Sequence, residues 1–168
     1  MTVAANAPLT RVATIDDADA IATTFTEAAR AAWRHFVPPE RLDALLPDRE
    51  GWRARLRAPA EGAVVLVAVV GNDVVGFIAT QAAKNTGEVE TFYTRPRVWG
   101  TGVGRALLDA GLEVLRAAGC KDALLWTEER NHRPRRVYEA YGWRVDGAPR
   151  ERSYLDAPIR EVRYRLKL

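Results

Sequence analysis

At 168 residues, with 48% apolar and 28% charged side chains, the chain is read as one soluble globular domain. A net charge of +3 is too modest to predict nucleic-acid binding. One cysteine, Cys120, excludes an intrachain disulfide, and no apolar run approaches the roughly 18 residues needed to span a bilayer. Residues 1–10 have neither a basic start nor an apolar core, so no secretory signal is read, and a cytoplasmic protein without a membrane partner is expected.

Leu9–Thr14 reads as a short strand. The next stretch sets Ala18, Ile21, Ala22, Phe25, Ala28, Ala29 and Ala32 at helical spacing behind an acidic first turn. A second helical stretch lies within Pro39–Leu56, interrupted near Pro47. Two β-branched runs, Ala63–Val70 and Val74–Gln81, are joined by Gly71, Asn72 and Asp73, the signal of a hairpin. Gly87–Thr94 is a third strand in this region. Its alternation puts Glu88, Glu90 and Phe92 on one face, with Val89, Thr91 and Tyr93 on the other. The strongest helical pattern follows, with Val103, Ala106, Leu107, Ala110, Gly111, Val114, Leu115 and Ala118 on the dry side. Asp122–Thr127 reads as a buried strand, and the segment from Asn131 as a short helix stopped by Gly142. Val162–Leu168 alternates apolar with basic residues as a last strand.

Directly before the strongest helix, Gly100, Gly102 and Gly104 stand at alternate positions. A glycine-rich turn opening a helix binds phosphate, because the free amides of the first turn carry partial positive charge and glycine lets an anion reach them. The mononucleotide loop is excluded: it needs Lys and then Ser or Thr after its last glycine, and Gly104 is followed by Arg105 and Ala106. The dinucleotide fingerprint fits poorly, since G-x-G-x-G replaces G-x-G-x-x-G.

The strand, the turn Trp99–Gly104, the amphipathic helix and the downstream segment Asn131–Trp143 together resemble the GNAT superfamily of acetyl-CoA-dependent N-acetyltransferases. That family's motif is Gln or Arg, two variable residues, Gly, one residue, then Gly or Ala; here Trp99 takes the Gln/Arg position. The order of elements resembles the family from Leu9 to Leu168, after a short extension over residues 1–8. The resemblance implies an α/β, single-domain GNAT fold: a mixed central β-sheet flanked by helices. It also implies an acyltransferase that passes acetyl from acetyl-CoA directly to a primary amine, with no metal.

An alkyl ammonium with pKa near 10.4 leaves about one amine in 10³ free at pH 7, so the reaction needs a proton sink and a donor for the departing thiolate. By resemblance the donor is Tyr138 of Val137-Tyr138-Glu139; core packing is the plain reading of the same residue. Glu88 and Glu90 are the candidate bases, against the plain reading of a solvated strand face. The resemblance implies coenzyme contacts from Phe92, Tyr93 and Thr94, from Trp99, Gly100, Thr101, Gly102, Val103, Gly104 and Arg105, and from Asn131 and Arg135. Asn131 is equally natural as a helix N-cap. Arg97, Arg130, Arg133 and Arg136 are further arginines able to meet phosphate.

By resemblance again, the segment Trp33–Arg41 and a C-terminal hairpin near Tyr154 form the amine pocket, with Trp33, Phe36 and Tyr154 as substrate contacts. His35 is read as a surface or capping residue ahead of a second base. The expected partner is a small-molecule amine. A protein or peptide amine, or a non-catalytic acyl-CoA-binding role, are the alternatives, and a homodimer is left open.

Overall fold

The computed structural model describes residues 8–168; of the extension over residues 1–8, all but the last lie outside the described residues. Strand β1 (Leu9–Val12) leads to helix α1 (Ala18–Ala32). The stretch expected to break near Pro47 forms two helices, α2 (Pro39–Ala44) and α3 (Arg49–Arg57). Proline disfavours helical backbone in the residue before it, and Asp48 starts the next helix by accepting a hydrogen bond from the Gly51 N–H at 2.9 Å. Then come β2 (Ala63–Val70), β3 (Asp73–Ala83), β4 (Thr86–Thr94), α4 (Val103–Ala117), β5 (Asp122–Glu128), α5 (His132–Tyr141), β6 (Arg144–Val145), β7 (Arg150–Tyr154) and β8 (Ala157–Lys167). The last strand begins five residues earlier than its alternating pattern indicates, because Pro158 hides its start.

The strands form one mixed sheet in the order β1-β2-β3-β4-β5-β8-β6, with β7 pairing β8. All pairs are antiparallel except β4 with β5, which run parallel and are joined by α4. Helix α4 buries Leu107, Leu108, Leu112 and Leu115 against Leu66, Ile78, Val89 and Leu125 on one sheet face. Each of these four leucines is fully buried and contributes roughly 1.5–3 kcal/mol of hydrophobic stabilisation. On the opposite face Ile21 of α1, with Trp52 and Leu56 of α3, packs against Val67, Phe77 and Ala79.

Two irregularities in β4 make room for a site. Its register against β3 passes from Ala79↔Thr91 to Thr80↔Val89, so Glu90 is an extra, bulged residue. A bulge bends its strand and strengthens the local twist. On the other edge, β4 pairs β5 only from Thr86↔Asp122 to Val89↔Leu125, and beyond that point the parallel strands separate. The bulge also breaks the expected alternation. Phe92 sits opposite Ile78 and packs on the α4 side, whereas Tyr93 sits opposite Phe77 on the α1 side. Glu88 and Phe92 therefore do not share a face, which corrects the sequence reading.

Candidate active site

A cavity of about 680 Å³ opens where β4 and β5 part. It lies at the carboxyl ends of the two parallel strands, the usual place for a ligand in such a sheet. The first turns of α4 and α5 flank one end; the residues after α1 and the β7–β8 hairpin close the other.

At the first end, Gly100 and Gly102 have φ of +81° and +93°, a region that β-carbon sterics disfavour for other residues. A Cβ at either position would meet nothing within 4 Å, so the backbone is open to an incoming group. The Ala106 N–H donates to the Gly102 carbonyl at 3.0 Å. The amides of Val103, Gly104 and Arg105 thus lie ahead of the first intrahelical bond of α4. No side chain caps that terminus and no acid stands in its first turn, leaving a positive concavity suited to a diphosphate. Thr101 turns its hydroxyl to the Val98 carbonyl at 2.7 Å, and the Val103 side chain is buried in the core. Neither residue is among those that line the cavity.

The structure sorts the arginines. Arg105 lines the cavity, held by Asp109 at 3.2 Å and by the Tyr141 ring at 4.5 Å. Arg130 and Arg133 also line it, and Arg133 stacks 4.3 Å from the centre of the Trp99 ring. Arg97 pairs instead with Asp73 at 3.0 Å. Arg135 is placed differently. Its guanidinium donates to the Tyr164 hydroxyl at 2.9 Å and the Glu129 carbonyl at 2.5 Å, away from the cavity-lining set. Asn131 occupies the N-cap position of α5 but makes no side-chain capping bond, and it lines the cavity.

In the middle, the Arg95 N–H donates to the Val75 carbonyl at 2.8 Å. By the alternation of strand backbone, Phe92 and Thr94 turn their main-chain groups the other way, into the gap between β4 and β5. The Thr94 carbonyl there accepts from Trp99 Nε1 at 3.0 Å. Tyr138 of α5 lines the same gap, its ring packed by Phe92, Trp143 and Tyr164. Burial raises the pKa of its phenol, and the Tyr164 charge pushes the same way. The Tyr93 side chain belongs to an aromatic cluster, with ring centres 5.0 Å from Phe25 and 5.9 Å from Phe77.

The far end is walled by Trp33, Phe36 and Tyr154; the Trp33 and Tyr154 rings meet edge-on at 5.2 Å. Four carboxylates reach this end: Glu88, Glu90, Glu128 and Glu161. Glu90 is bound by Arg55 of α3. Glu128 accepts from Arg130 Nε at 2.9 Å, with His35 Nε2 4.0 Å away, and Glu161 accepts from Arg150 Nε at 2.7 Å. Glu88 has no ion-pair or hydrogen-bond partner for its carboxylate among the described residues. Burial raises its pKa; Glu90 and Glu161 add to the rise, and Arg150 opposes it. Sequence reading missed Glu128 and Glu161, since each is one acid in an ordinary strand until β5 and β8 pair them directly.

A family model described as Acetyltransferase (GNAT) family matches residues 22–143. The chain belongs to the GNAT acetyltransferase family. Among curated relatives, it is 35% identical over 109 residues to aminoglycoside N(6')-acetyltransferase type 1 of Stenotrophomonas maltophilia, covering 58% of this chain and 68% of that protein. It is 36% identical over 99 residues to the mycothiol acetyltransferase of Saccharopolyspora erythraea, covering 58% of this chain but only 30% of that protein. The chain therefore spans about a third of the mycothiol enzyme it matches. Two solved GNAT structures share the fold. The PaiA N-acetyltransferase of Thermoplasma acidophilum in complex with coenzyme A has TM-score 0.79 at 15% identity, over 96% of this chain and 99% of that one. The acetyl-CoA-bound yncA of Salmonella typhimurium has TM-score 0.70 at 20% identity, over 97% and 95%.

The residues at the first end of the cavity fit the coenzyme bound in the PaiA structure. The open backbone at Gly100 and Gly102, with the uncapped amides of α4, has the shape and charge a diphosphate requires. No helix among the described residues is long and apolar enough to cross a membrane.

Proposed function

We propose that the protein acetylates a primary amine of a small cationic molecule, with Glu88 as the proton acceptor and Tyr138 as the donor to sulfur. The observation that carries this reading is the unpaired, partly buried Glu88 in a chamber whose other carboxylates each hold an arginine. The aromatic wall of Trp33, Phe36 and Tyr154 excludes water around an incoming ammonium and offers it ring faces. Relatives named for mycothiol and for aminoglycosides support a small-molecule acceptor over a peptide.

Acetyl-CoA supplies a thioester, an acyl group already activated for attack. The amides of Val103, Gly104 and Arg105 hold its diphosphate, and the outward main-chain groups of Phe92 and Thr94 line the gap for its arm. Glu88 removes a proton from the ammonium, directly or through one water, and its raised pKa brings it nearer the pH at which a base works best. The Phe92 N–H is the main-chain donor available for charge on the acyl oxygen. Tyr138 stays protonated through the working pH range and donates a hydrogen bond to the departing sulfur.

Thiol release from acetyl-CoA, measured over a panel of aminoglycosides, diamines, amino acids and short peptides, tests the reading. Turnover is expected with small cationic amines and is expected to be lost in Glu88→Gln. Turnover confined to the peptides overturns it.

A further inference from the structure

Glu128, Glu161 and Arg150 form one row across three strands: Glu128 is the register partner of Glu161 between β5 and β8, and Glu161 that of Arg150 between β8 and β7. Two like charges directly opposite on adjacent strands repel, and both carboxylates are buried, with side chains 3% and 8% exposed. Each needs a cation. Glu128 has Arg130, with His35 at the edge of reach. Arg150 is the one cation paired with Glu161 among the described residues. Its guanidinium also lies 3.9 Å from the centre of the Trp126 ring, a stack that holds the fork flat and aimed.

We propose that Arg150 is a positioning residue: by engaging Glu161 from the cavity rim, it leaves Glu88 as the single carboxylate of the chamber free to receive the acceptor's ammonium. Without Arg150, a buried Glu161 carboxylate would compete for that ammonium and would repel charge on Glu88. The proposal rests on the assignment of Glu88 as proton acceptor. Glu88 shares this end of the cavity with the charged or titratable groups Glu90, held by Arg55, His35, Tyr93, the Glu128–Arg130 pair, Arg150, Tyr154 and Glu161. Of these, Arg150 is the cation that opposes the rise in Glu88.

Carbon-13 NMR titration of the Glu88 carboxyl in the ligand-free protein tests the proposal without any acceptor. In Arg150→Gln the midpoint is expected to rise by about one pH unit, since a neighbouring cation is removed and Glu161 is left uncompensated. Glu161→Gln is expected to lower it, and the double variant to fall below Arg150→Gln toward the wild-type value. An Arg150→Gln midpoint at the wild-type value, or a double variant that keeps the raised one, overturns the proposal. If Arg150→Gln fails to fold, Glu161→Gln decides: an unchanged midpoint there overturns it too. Thiol release by Glu88→Gln is a separate measurement. Wild-type turnover there removes Glu88 as base and leaves the midpoints to judge Arg150.

Discussion

Trp99 Nε1 donates to the Thr94 carbonyl at 3.0 Å, tying the glycine turn to the end of the strand that faces the reaction gap. The family motif places Gln or Arg at this position, and here an indole performs the tie while Arg133 stacks on its outer face. Trp99→Phe keeps the ring and removes the donor. Loss of this internal hydrogen bond, worth about 1 kcal/mol, is expected to lower the melting temperature by roughly 2–4 °C and, as the turn loosens, coenzyme A affinity by up to about fivefold. Calorimetric titration with coenzyme A checks this; unaltered affinity means the turn is held by other contacts.

Gly102 combines a left-handed φ of +93° with open space around its missing Cβ. Gly102→Ala is expected to destabilise the fold by about 1–2 kcal/mol through backbone strain alone. At the proposed diphosphate site the added methyl would project into the open space the ligand needs, and affinity for coenzyme A should drop further than this strain explains. Chemical denaturation and calorimetry, run side by side, separate the two effects.

Tyr138 is packed by three aromatic rings, so Tyr138→Phe preserves its volume and most contacts. The expected result is a loss of turnover of roughly 10²-fold with a melting temperature close to wild type. A variant that turns over normally would confine Tyr138 to packing.

Glu88 must be ionised to accept a proton, and burial together with Glu90 raises its pKa above the ordinary carboxylate value. Activity is therefore expected to be full above the raised pKa and to fall as pH drops through it. The acidic limb of kcat/KM should lie above that of an exposed glutamate and should disappear in Glu88→Gln. Glu90→Gln removes a neighbouring negative charge and should move the limb to lower pH. A limb that ignores both substitutions belongs to another group.

The β7–β8 turn places two non-glycine residues, Leu155 and Asp156, at φ of +49° and +58°. Consecutive left-handed residues make the tight hairpin turn that Asn-Gly serves best. Leu155 packs into the cluster around Trp33, whereas Asp156 is exposed. Relief of left-handed strain, about 1–2 kcal/mol, exceeds the entropy cost of glycine, about 0.5–1 kcal/mol, so Asp156→Gly is expected to raise stability by about 0.5–1 kcal/mol, read as a higher denaturation midpoint with activity unaltered. A lower midpoint would show that the aspartate stabilises the turn it occupies.

Short-range pattern decided a good deal on its own. The dry face of α4, the breaks at Pro47 and Gly142, and the bare backbone at Gly100 and Gly102 are properties of neighbouring residues. Helical periodicity and positive φ leave marks within a few positions of one another. The mixed sheet flanked by helices is implied by the resemblance those marks carry, and the parallel pairing of β4 with β5 that sets the first amides of α4 at their carboxyl ends comes from the tertiary structure. What tertiary structure alone decided depends on partners distant in the chain. The bulge at Glu90 exists only in the pairing of β4 with β3, and it is what separates Glu88 from Phe92. The partner of Arg135 of α5 is the Tyr164 hydroxyl on β8, which no local pattern in the chain announces. Glu128 and Glu161 became a chamber wall only when β8 folded against β5, and β7, Arg-Glu-Arg-Ser-Tyr, had no apolar alternation to announce itself. Charges are positioned by contacts across strands, and the spacing of residues along one strand carries no record of which arginine will face which carboxylate.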